Sequence, residues 1–155
     1  MKTVYMFLTL LFLSACGGDS DSSVSENDDV KANVTEITVQ GSQNNYIFNV
    51  TLESDDTGCQ QYADWWEILT EDGQLIYRRI LGHSHTTEQP FTRSGGPIEI
   101  IEDSIVYIRA HMNTQGYIGD VFKGSVQNGF IKSNNTPKFA SEIEEELPLS
   151  DGCAF

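Results

Sequence analysis

Between residues 34 and 130, apolar and polar side chains alternate with period two, and turn formers break the run roughly every 8–12 positions. A chain patterned in this way offers no continuous helical stripe, so it folds as strands that each turn one side inward. Residues 34–40 set Val34, Glu36 and Thr38 against Thr35, Ile37 and Val39, and residues 46–52 place Tyr46, Phe48, Val50 and Leu52 on one face. A third strand over 63–70 joins a fourth over 75–81 through Asp72-Gly73, a dipeptide suited to a tight hairpin. Strands over 97–101 and 105–112 follow, and two last arms over 117–126 and 129–132 carry extra glycine and are expected to bulge. Six to seven strands of this kind make an all-β sandwich rather than a closed barrel.

Composition bounds the partners. Of 155 residues 39% are hydrophobic, enough for one core but low for a membrane bundle. Eight Phe, six Tyr and two Trp set the chain apart from a disordered acidic polymer. Twenty-three acidic against nine basic residues leave a formal net charge of −14, which argues against a nucleic-acid partner. Ten of those acids sit in two stretches, 16–29 and 142–151. The charge therefore serves solubility and extension rather than a cationic substrate.

The first residues carry an address. Lys2 precedes an apolar run over 4–13, about half the ~20 residues of a spanning helix. It reads as the apolar region of a secretory signal peptide over 1–15. The run enters Leu13-Ser14-Ala15-Cys16, which resembles the lipobox of bacterial lipoproteins. That resemblance implies cleavage before Cys16, acylation of its thiol with palmitate-type chains, and a membrane anchor. Gly17 in place of Asp implies the outer membrane, with the domain facing the periplasm or exposed at the surface. The alternative is an ordinary signal peptide with an incidental Cys. Residues 16–31 are Gly, Ser and acid with little to bury, and are expected to act as a flexible tether to a single domain over 32–155. A calcium loop fits that stretch poorly, because Val24 and Val30 stand where glycine and glutamate are needed.

In an oxidising compartment the two remaining cysteines, Cys59 and Cys153, are expected to form one disulfide that staples the C-terminal tail to the body. A thiol metal site is the poorer alternative, since no C-x-x-C spacing is present. The acidic run 142–146 is expected either as a short helical turn or as a solvated tail.

Tyr107, Arg109, Asn113 and Gly116 are spaced as in the penultimate strand of fibronectin type III-like and immunoglobulin-like domains, and about ten residues resemble that strand. The resemblance implies such a sandwich and nothing about activity. Cys153 lies past the last strand, unlike the facing core cysteines of immunoglobulin domains.

Three readings compete for function. All three histidines fall in two segments, His83-Ser84-His85 and the strand bearing His111. His83 and His85 share a face if their segment is a strand, and His111 points outward beside Tyr107 and Arg109, opposite Val106, Ile108, Ala110 and Met112. If the strands share a sheet, the three imidazoles gather into a copper or zinc site, with Glu88 as a fourth ligand. The competing view is an ordered loop whose histidines bond to backbone; a strand between the two segments would also keep His111 away. A second reading is a non-catalytic recognition surface for a glycan or an envelope protein, built from Trp65, Arg79, Arg93 and Arg109 with the histidines. It takes one of Trp65 and Trp66 as core and the other as partly exposed. Against it, Trp65 covers the disulfide and the arginines pair with Glu67 and Glu99, leaving a scaffold. An enzyme is not expected and no cofactor is required: His83 to Glu88 starts like the H-x-H-x-D-H of metallo-β-lactamase-type hydrolases, but Thr87 and Glu88 replace its Asp and last His.

Overall fold

A computed structural model describes residues 30–135 and 138–154. The signal peptide assigned to 1–15, the lipidation residue Cys16 and the tether up to residue 29 lie outside the described residues. Among the described residues, no helix is long and apolar enough to cross a membrane.

The strands run β1 (Ala32–Ser42), β2 (Asn45–Ser54), β3 (Ala63–Thr70), β4 (Leu75–Ile80), β5 (Phe91–Ile98), β6 (Val106–Met112), β7 (Phe122–Ser125) and β8 (Gly129–Lys132). They form two antiparallel sheets, β1-β2-β5 and β4-β3-β6-β7-β8, so the protein is an all-β sandwich. Tyr46, Phe48, Val50 and Leu52 of β2 are buried as the alternation predicts. They share one core with Trp66 and Ile68 of β3 and with Val106, Ile108, Ala110 and Met112 of β6. The Asp72-Gly73 hairpin joins β3 to β4, and Gly73 supplies the positive φ of 87° that the turn requires.

Four details depart from the sequence expectation. Eight strands form where six to seven were expected, the closing arms being two short separate strands. Those arms pair without a register shift; bulges occur instead within β1 and at three other pairings. The bulge between Val34 and Glu36 changes parity along β1, which is why Val34 and then Ile37 and Val39 all pack on the core. Third, β5 starts at Phe91, within a stretch rich in turn formers. Gly95 belongs there because a Cβ would stand 2.6 Å from both the Trp66 indole and the Tyr77 ring.

The fourth departure sets up the candidate site. On β3 and β6 the outward side chains Trp65, Glu67, Leu69, Tyr107, Arg109 and His111 are as buried as the inward ones. Residues 138–154 cross that outer face as a strap containing a 3-10 helix, Ser141–Glu145. The acidic run is thus a helical turn, and Ile143 within it is buried. It packs with Leu69, Tyr107 and Val121 in a second, smaller core. Cys59 and Cys153 are disulfide-bonded with 5.3 Å between their Cα atoms, so the staple fastens the strap's far end.

Candidate functional site

The strap is seated on a charged layer produced by strand register. Glu67 on β3 lies opposite Arg78 on β4 and Arg109 on β6. Its Oε2 accepts a 2.8 Å bond from Arg78 Nε and its Oε1 a 2.8 Å bond from Arg109 Nε. Each guanidinium spends other N–H groups on the strap's backbone: Arg78 donates to the carbonyls of Ile143, Glu146 and Pro148, and Arg109 to those of Phe139 and Ala140. A buried carboxylate in this position is paired on both oxygens, which is the condition for tolerating it. Arg78 also reaches the Tyr117 hydroxyl, whose pKa burial raises well above its ordinary value, so it stays protonated.

His111 belongs to this layer. Its Nδ1 lies 2.6 Å from Asp64 Oδ1 and its Nε2 3.0 Å from Glu144 Oε1 on the strap. Its ring stacks on Trp65 at 3.6 Å between centroids, and the Arg78 guanidinium sits over the same indole at 4.5 Å. Burial raises the Asp64 pKa, partly offset by the bond from His111.

The structure therefore corrects two expectations about exposure. Trp65 is only 4% exposed and Arg109 only 2%, because the strap covers the outer face. Arg109 pairs with Glu67. Arg79 bonds to the Ser94 and Ile80 carbonyls, linking β4 to β5 across the edge of the sandwich. Arg93 is partly exposed and reaches Glu88 Oε1 at 2.9 Å. These four side chains do not share one open surface.

The other two histidines come together, but not with His111. Strand β3 separates β4 from β6, and both nitrogens of His111 are engaged by carboxylates. His83 and His85 lie beyond β4 in the loop to β5, not on a strand, with ring centroids 4.5 Å apart. The loop is tied to the body around them. The His85 backbone N–H donates to Asp56 Oδ2 at 2.8 Å, and Gln89 links the His85 carbonyl to Ser54. Asp56 in turn accepts from Ser54 Oγ and the Ala63 N–H.

The His85 ring is 1% exposed and stacks on Phe91, 3.7 Å between centroids. Neither of its nitrogens has a hydrogen-bond partner among the described residues, an arrangement that costs about 1–3 kcal/mol per orphaned group. Its Nδ1 faces Asp56 Oδ2 at 3.7 Å, while its Nε2 faces Glu88 Oε1 at 3.9 Å. His83 Nε2 stands 3.9 Å from that same Glu88 oxygen. Ligand atoms of His83, His85 and Glu88 all lie within 4.8 Å of one another. Burial, with Arg93 and His83 adding to it, lowers the His85 pKa, so the ring is neutral at pH 7 with a free lone pair.

The sequence reading missed Asp56, Asp64, Arg78 and Glu144. Arg78 had a signal: a hairpin centred on Asp72-Gly73 brings Glu67 opposite Arg78. Glu144 had none, since it meets His111 only by the path of the strap, and Asp64 reaches His111 from β3 at the register shift between Ala63 and Trp65, which no local pattern marks.

The chain is similar to a Halomicrobium mukohataei protein named "Putative lipoprotein", at 39% identity over 124 residues, which is 76% of this chain and 61% of that protein. The chain thus spans under two thirds of that relative's length. No protein-family model matches the chain, and no solved structure matches it.

Proposed function

We propose that this protein is a lipid-anchored lipoprotein of the cell envelope, whose sandwich is a non-catalytic binding domain with the β4–β5 loop as its binding end. Two observations agree on the anchor: Leu13-Ser14-Ala15-Cys16 has the lipobox form, and the Halomicrobium protein carries the lipoprotein name. In this reading residues 1–15 are removed, Cys16 carries the acyl chains, and residues 16–31 hold the domain away from the bilayer. Gly17 supports the outer membrane as destination. The division β1-β2-β5 against β4-β3-β6-β7-β8 supports a fibronectin type III-like sandwich, with β8 added at the edge of the larger sheet.

The single observation that carries the choice of binding end is the buried, unbonded His85 ring aimed at His83 and Glu88. Polar atoms left without partners at an otherwise pinned loop are where a ligand gains most. A broad glycan- or protein-recognition face is less favoured, since Trp65 and Arg109 are already occupied under the strap.

Metabolic labelling with an alkyne palmitate analogue tests the anchor. The wild-type chain is expected to take label and sediment with membranes, and Cys16→Ala to lose both properties. An unlabelled wild-type product that retains Met1 would overturn the proposal.

A further inference from the structure

We propose that His83 Nε2, His85 Nε2 and a Glu88 carboxylate oxygen form the binding site of one divalent transition-metal ion, zinc or copper(II). The inference rests on the reading of the β4–β5 loop as the binding end and supplies its ligand class.

Donor chemistry selects the ion. Two imidazole nitrogens and one carboxylate suit zinc or copper(II), whereas calcium and magnesium require oxygen ligands throughout. Three protein ligands leave a position open for water or for a further donor.

The geometry needs little adjustment. Bonds of about 2 Å hold tetrahedral ligand atoms about 3.3 Å apart, and the three residues start within 4.8 Å of one another. His83 and Glu88 have half-exposed side chains that are free to swing, while His85 is fixed by its stack on Phe91 and its bonded backbone. Asp56 stands behind Nδ1 of His85, as carboxylates do where they orient a metal-bound imidazole. An ion at Nε2 gives that orphaned nitrogen a partner, while Nδ1 faces Asp56 Oδ2 at 3.7 Å. Arg93 holds Glu88 Oε1 at 2.9 Å; binding displaces it or uses the second Glu88 oxygen.

The test uses the full chain, purified from cells in detergent, stripped with chelator and titrated separately with Zn²⁺ and Cu²⁺ by calorimetry. One ion per chain is expected, and the copper-loaded protein should show electron paramagnetic resonance hyperfine splitting from two nitrogens. His83→Gln changes an exposed residue that the fold does not depend on, and should weaken binding at least ~10-fold. His85→Gln should abolish it, with circular dichroism verifying that the sandwich is retained. A folded wild-type chain that takes up no ion overturns the proposal. So does uptake that is unchanged in His83→Gln, which would place the ion on the acidic surface. Lipid on Cys16 is read on the same preparation by mass spectrometry, so failure of the anchor and failure of the metal site are separate results.

Discussion

The indole of Trp65 lies flat against the imidazole of His111, 3.6 Å between centroids and 9° between planes. Two side chains that the sequence offers as recognition elements thus recognise each other. With Arg78 over the indole's ring and Glu144 on the imidazole, the pair is built into the seat of the strap.

Trp65→Ala should therefore act on stability. Removing a buried indole costs about 3–5 kcal/mol, to be read as a lower urea midpoint. A Trp65→Ala protein as stable as wild type, yet impaired in binding, would restore Trp65 to an open surface.

Glu67 is inaccessible to solvent and lies between two guanidinium groups. Glu67→Ala leaves both cations buried without their carboxylate and should cost about 3–5 kcal/mol. Chemical denaturation measures it, and a loss below about 1 kcal/mol would contradict the pairing as described.

Replacing Cys59 and Cys153 together by serine opens a loop spanning 94 positions, worth up to ~5 kcal/mol on the chain-entropy model. Hydrogen exchange should show the added opening first in residues 141–150, and the body of β2 should keep its protection. Equal deprotection of strap and core would mean that the staple holds the whole sandwich.

Asp64 gives a pH signature. Its folded pKa is raised above 3.8 by burial, so the folded state holds its proton more tightly than the unfolded chain. The resulting stability is fully present below pH 3.8 and is lost as pH rises through the raised value. Asp64→Asn should accordingly cost more at pH 3.5 than at pH 7, as measured by urea unfolding at each pH. A difference growing in the opposite direction would reverse the assignment.

Arg93→Gln should tighten metal binding by about two- to fivefold, because a partly exposed ion pair to Glu88 is worth up to ~1 kcal/mol and competes for the same oxygen. Weaker binding in this variant would instead make Arg93 part of the site.

The sandwich itself was legible because β2 and β6 bury one face at period two, and because Asp72-Gly73 marks its hairpin. What escaped was the outer face. The alternation of β6 sets Arg109 and His111 opposite its inner core residues and leaves open which of Trp65 and Trp66 faces out, yet whether such a face meets water depends on what crosses it. The 3-10 helix of the strap carries acids on both sides of one apolar residue, Ile143, and one residue gives no period. The histidine pair was visible as neighbours in sequence, although a loop rather than a strand brings the rings together. His111 was separated from them by strand order, which no local pattern encodes.

The strap also imposes an order of assembly. Strand β3 cannot be roofed until residues some 70–90 positions downstream have been made, so in a chain synthesised from its N-terminus the outer face completes last. Until then, the indole of Trp65 and the guanidinium groups of Arg78 and Arg109 lack the strap that buries them. A chain cut short before residue 138 would therefore keep the eight strands and leave the outer face of β3 and β6 without its cover.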